Sequence, residues 1–100
     1  MSSVDLVRIS FDQQQLQLFY GNGCSGLFQW QEFDQILAIR LDGQPHWLLQ
    51  ANKNFALIDM ALDSERSLEQ FFKQWPNFNR DGLIKWLDQT DSSECCCYSC

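Results

Sequence analysis

Leu68-Glu69-Gln70-Phe71-Phe72-Lys73-Gln74-Trp75 carries apolar side chains at i, i+3, i+4 and i+7, which is one stripe along an α-helix. Ahead of it the apolar residues recur every second position, so the fold class turns on this stretch. Asp63 or Ser64 is available as the N-cap and Pro76 as the stop, and the spacing predicts a helix from about Ser64 to Trp75. Working upstream, Val7, Ile9 and Phe11 alternate with Arg8 and Ser10, which predicts a half-buried strand. In the next strand Leu16, Leu18 and Tyr20 face one way and Gln15, Gln17 and Phe19 the other. Gly21-Asn22-Gly23 signals a turn, and Gly26 closes that loop.

Leu27 to Trp30 is a third strand, and Gln31 to Gln35 a polar connector or single helical turn. Leu37, Ile39 and Leu41 form the apolar face of a fourth strand, ended by the hairpin signal Asp42-Gly43, which leads into His46 to Gln50. Asn52-Lys53-Asn54 turns the chain into Phe55 to Met60. Downstream of the long stripe, Leu83, Ile84 and Leu87 mark a second short helix begun near Asn79 or Asp81, with Gly82 a weak point in its first turn. Polar Gln89 to Glu94 then leads to Cys95 to Tyr98, read as a final strand. Strands followed by helices predict an α+β domain: a curved antiparallel sheet or split barrel of six to seven strands, capped by the helix from the quoted stretch, with the second helix before the last strand.

The 100 residues are 45% hydrophobic, 14% aromatic and 20% charged, the composition of a packed protein, and a single domain over 1–100 is expected. A formal charge of -6, with seven scattered basic residues, opposes binding to nucleic acid or to an anionic membrane surface, because both rest on clustered Lys and Arg. It suits solubility and a basic protein partner. Met1 to Leu6 lacks the basic and apolar regions of a secretory signal, and no run reaches the length of a membrane span, so a cytoplasmic location with reduced thiols is expected. Five cysteines cannot all pair within one chain.

Phe78-Asn79-Arg80-Asp81-Gly82-Leu83-Ile84-Lys85-Trp86-Leu87 and Thr90-Asp91-Ser92 resemble the C-terminal signature of a group of short uncharacterised bacterial proteins, G-F-D-N-E-x-hydrophobic-I-x-A-M-x-S-T-E-N-x-x-F-x-C-W. Phe78 stands at its phenylalanine, Asn79 at the aspartate, Asp81 at the glutamate, Ile84 at the isoleucine and Thr90 at the threonine. Asp91 and Ser92 stand at Glu-Asn, Cys95 at the second phenylalanine, Cys97 at the cysteine and Tyr98 at the tryptophan. Trp30-Gln31-Glu32-Phe33 and Trp47-Leu48-Leu49 are similar to two earlier segments of the group, while Asn77 replaces the glycine before Phe78, and Trp86 and Leu87 replace Ala-Met. The resemblance implies a small α+β domain ending on a strand and supplies no catalytic residue. The order of elements is also similar to the pleckstrin-homology architecture, a likeness of fold that carries no function.

Cys97-x-x-Cys100 has the spacing by which two thiolates grip a zinc ion, and Cys95, Cys96, Cys24 and His46 are the residues that could complete four ligands. A strand puts Cys95 and Cys97 on one face and Cys96 on the other, which splits the set. Free cysteine also packs as a small hydrophobe, and that reading leaves no metal, no cofactor and no catalytic set. The competing reading is a thiol or metal-binding protein built on Cys95, Cys97 and Cys100. Cys97-Tyr98-Ser99-Cys100 also has the cysteine position of a prenylation box, with two non-aliphatic residues inside it.

His46, the single histidine, could pair with Cys24 as a minimal dyad. Gly21-x-Gly23-x-x-Gly26 has the letters of a dinucleotide fingerprint, but it links two strands and opens no helix. Asp59, Asp63, Glu65 and Glu69 gather at the start of the first helix, where carboxylates complement the dipole and can also dock a basic partner. Phe19 is apolar on the polar face of its strand, so either another element covers it or it forms a sticky patch. The expected function is a non-enzymatic protein-interaction module, binding an unknown protein or a second copy of itself.

Overall fold

The computed structural model describes residues 5–63, 66–89 and 94–99, and the chain divides into two compact units at Glu32/Phe33. The described residues form an α+β fold with seven strands and two helices, the strands parted into two antiparallel sheets of three and four. The α+β class and the seven strands are as expected, while the strands form two sheets in place of a single curved one and do not close into a barrel. The helices lie between the sixth and seventh strands, so the described chain ends on a strand.

The first unit is a meander of β1 (Leu6–Phe11), β2 (Gln15–Tyr20) and β3 (Ser25–Gln29). The Asp12 carboxylate accepts from the amides of Gln14 and Gln15, closing the first turn, and the Asn22 side chain accepts from Cys24 in the second. Leu16 and Leu18 are fully buried, and the opposite face carries Gln17 and Phe19. Phe19 is covered by a third arrangement: the Arg8 guanidinium on the neighbouring strand lies 4.2 Å above its ring. A register shift between Leu6 and Arg8 rotates Val7 out of the inward set, leaving it 54% exposed. Trp30 belongs to a 3-10 turn, Trp30–Glu32, where its indole N–H donates to the carbonyl of Asp12 at 2.7 Å.

The second unit holds β4 (Phe33–Leu41), β5 (Gln44–Ala51), β6 (Phe55–Asp59) and β7 (Glu94–Ser99) in the order β6-β5-β4-β7. Asp42 and Gly43 both take positive φ, +53° and +79°, the conformation by which a two-residue hairpin matches the strand twist. On β4 the buried residues are Phe33, Ile36 and Ala38, while Leu37 and Ile39 are half-buried and Leu41 is exposed. The inward face is thus the one carrying Ile36 and Ala38, not the more apolar set of Leu37, Ile39 and Leu41. Ala38 sits opposite Trp47 on β5, and the small side chain leaves room for the indole on the face that receives the helices.

The helix α1 (Ser67–Lys73) buries Leu68 and Phe72. It is shorter than the predicted span because its end tightens, with Gln74 and Trp75 donating to Phe71 and Phe72 three residues back. Phe72 meets Trp47 edge to face at 5.1 Å, Trp75 at 5.2 Å and Phe78 in a stack at 6.0 Å, and Trp75 meets Tyr98 of β7 at 5.2 Å. One aromatic nucleus thus joins strand, helix, loop and last strand. The helix α2 (Arg80–Asp88) buries Leu83 and Trp86, whereas Ile84 is 52% exposed and Leu87 lies at the surface. The inward stripe is the i, i+3 pair, and Arg40 of β4 lies 4.0 Å over the Trp86 ring while donating to its carbonyl at 2.8 Å. Among the described residues no helix is long and apolar enough to cross a membrane.

Asn79 is the N-cap of α2, its side-chain oxygen accepting from the Gly82 amide at 3.0 Å. A Cβ at Gly82 would collide with the Asn79 side-chain amide, so this glycine makes space for the cap. Replacing Gly82 by Ala gains about 1 kcal/mol of helix propensity and forfeits a cap of about 1 kcal/mol. Gly82→Ala is therefore expected to leave stability nearly unchanged in the native chain and to stabilise an Asn79→Ala variant by about 1 kcal/mol, read from urea melts as a double-mutant cycle.

Candidate functional site

The terminal cysteines form part of β7, which pairs with β4 through Ala38–Cys95, Leu37–Cys96 and Ile36–Tyr98. Cys97 is the extra residue of a bulge in this ladder, and two neighbours, Cys97 and Tyr98, therefore share the face of Ile36. Cys97 is 1% exposed, Cys95 half-buried and Cys96 exposed on the opposite face. The Cys97 carbonyl accepts from the Asn79 amide at 2.7 Å, pinning the outer edge of β7 to the start of α2. Burial pushes the Cys97 thiol far above the ordinary thiol range, reinforced by Cys95, with which it hydrogen-bonds, and by Cys96.

Cys100, Ser64, Glu65 and Thr90-Asp91-Ser92 lie outside the described residues. Among the described residues no three His, Cys, Asp or Glu side chains gather as a metal site. Cys95 and Cys97 thus bring together two donors where a structural zinc ion takes four. Cys24 is exposed just ahead of β3 in the first unit. His46 stands on β5 in the second unit, its Nδ1 2.9 Å from the carbonyl oxygen of Gln44 and its Nε2 4.0 Å from Asp59. Gly21 and Gly23 link β2 to β3 and Gly26 lies within β3, a strand-to-strand passage with no helix to receive a pyrophosphate.

A more open feature is a hollow of about 320 Å³ on the second unit, lined by residues of β5, the 3-10 turn Met60–Leu62, the N-terminal end of α1 and Leu87 of α2. Its polar wall is Asp59, Asp63, Glu69 and Arg66, and its apolar wall includes Pro45 and Trp47. Asp59 caps the 3-10 turn by accepting from Ala61 at 2.9 Å. The predicted cap role of Asp63 takes an unusual form: its carboxylate accepts from Leu68 at 2.8 Å and Glu69 at 3.3 Å from outside the helix. The cap position itself holds Arg66 in the left-handed region, φ +55°, with no side-chain cap bond.

Glu69 is 9% exposed and pairs with Lys73 at 3.0 Å. Asp59 and Asp63 are thus held in place by backbone amides and Glu69 by the Lys73 ammonium. Neither Arg66 nor the Arg40–Trp86 stack is marked by any spacing in the sequence, since both depend on contacts between distant elements.

The thiols should differ sharply in reactivity. With iodoacetamide at pH 8 on the folded chain, Cys24 and Cys96 are expected to alkylate and Cys97 to stay unmodified until denaturant is added, as read by peptide mass mapping. Because the folded state keeps Cys97 protonated while the unfolded chain ionises it near pH 9, its contribution to stability is complete below that pH and is lost as pH rises beyond it. What the chain does rests on its own residues, since no family model, no curated protein and no solved structure matches it.

Proposed function

We propose that this chain is a small non-enzymatic protein-interaction module of the cytoplasm whose hollow receives a basic side chain of a partner protein. The observation that carries the reading is the wall formed by Asp59, Asp63 and Glu69, on which Arg66 is the basic lining residue and Lys73 pairs with Glu69 alone. A Lys or Arg side chain fits this chemistry, because its aliphatic stem packs on Pro45 and the exposed Leu87 while its charge meets the carboxylates. The net charge of -6 favours encounter with a basic partner over long range. A second copy of the chain is the other candidate partner, suggested by Phe55 at 65% and Leu27 at 60% exposure.

The same reading keeps the chain beside the short bacterial proteins whose terminal signature it resembles, on a pleckstrin-homology-like plan. Support for that plan is the set of seven antiparallel strands in two sheets with helical cover, although here the helices precede the last strand.

Titration calorimetry with an oligo-arginine and an oligo-lysine peptide, against an oligo-glutamate control, tests the main reading. Binding of the basic peptides alone is expected, weakened at least about tenfold, or about 1.4 kcal/mol, in the Asp59→Asn/Glu69→Gln double variant, whose fold is checked by circular dichroism. Equal affinity in both proteins, or no binding of either basic peptide, sinks it. Light scattering on the same samples reads self-association: a monomer at all concentrations removes the second copy as a partner.

A further inference from the structure

Cys95 and Cys97 are two positions apart on an edge strand and lie on the same face of it, opposite Cys96. The Cys97 sulfur also lies 3.7 Å from the carbonyl oxygen of Cys95, so its side chain leans back along the strand toward that residue. Two residues of extended chain span roughly 6 to 7 Å, and a disulfide accepts Cα separations of about 4.4 to 6.8 Å. The bulge at Cys97 bends the strand, which works in the direction of closure. Because β7 has a strand neighbour on one side only among the described residues, a local pucker there disturbs a single ladder.

We propose that Cys95 and Cys97 are a redox dithiol that closes to an intrastrand disulfide by exchange with a low-molecular-weight disulfide. Cys95 is the entry point, being half-buried where Cys97 is closed off. Its thiolate attacks one sulfur of the small disulfide, whose other half leaves as a thiolate and takes up a proton. As the local pucker opens, Cys97 gives up its proton to the small thiolate that leaves, and its sulfur displaces that thiolate from Cys95 in the mixed disulfide, releasing the second small thiol. Two cysteine thiols lose two electrons and two protons, and one small disulfide becomes two small thiols. Cys96 points to the opposite face and is left out of the ring.

The test treats the full native chain with oxidised glutathione. Remaining free thiols are then blocked with one alkylating reagent, and thiols released by reduction are tagged with a second. Fragmentation mass spectrometry places each tag, and intact mass before reduction counts the hydrogens lost. The expected result is a monomeric chain lighter by two hydrogens, with the second tag on Cys95 and Cys97, retained in Cys96→Ser and abolished in Cys95→Ser. A closed link that uses Cys96 or Cys100, a disulfide between chains, or a stable mixed disulfide at Cys95 that never closes would each overturn the proposal. Because the wild-type map alone decides among these outcomes, the inference stays testable even if a variant fails to fold. It is independent of the basic-partner reading, since the peptide titration is run on the reduced chain.

Discussion

The edge-to-face contact of Trp47 and Phe72 is the constraint on which the second unit depends, because it is where the helical layer takes hold of the sheet. Both side chains are essentially removed from water, each contributing on the order of 2 to 3 kcal/mol by burial. Geometry around the contact follows from their bulk. Ala38 is small because the indole lies beside it, and Trp75 and Phe78 close on the other sides of the Phe72 ring. Trp75 in turn touches Tyr98, so the position of β7 is set by the same nucleus that seats α1.

Polar groups then fix the ends of what the aromatics hold. Asp63 stands outside α1 and serves its first free amides, while Asn79 does the same for α2 from the usual cap position. Both devices lie on the rim of the packed layer and not inside it. The negative hollow is a by-product of that arrangement: carboxylates recruited to finish a helix and a 3-10 turn end up on one wall, facing solvent.

Much of the order of elements is legible in the sequence, and its limits are specific. Apolar alternation identifies β2, and Asp42-Gly43 identifies the β4–β5 hairpin, because both signals act within a few residues. The inward face of β4 escapes, since Leu37 and Ile39 are more apolar than Ala38 and only the bulk of Trp47, nine positions on, shows why the smaller residue goes inside. Ile84 and Trp86 change places for a related reason: the cover that Arg40 gives to an indole belongs to another element. Parting of the strands into two sheets is also silent in the pattern, as a polar connector or helical turn after Trp30 does not say that pairing stops there. At the candidate site the acidic residues are visible as letters. Their fixed orientation is not, because it comes from backbone amides that only the folded chain brings near.

The pairing of β7 with β4 has a consequence for how the molecule is made. Ribosomes deliver β4 some sixty residues ahead of its second neighbour, so until β7 emerges one margin of that strand lacks the partner it has in the fold. Leu37 and Ile39 sit along that margin. Until the sulfur-rich strand emerges and the Asn79 amide clasps it, that margin is an unpaired edge open to other strands, and pairing with β7 ends the exposure.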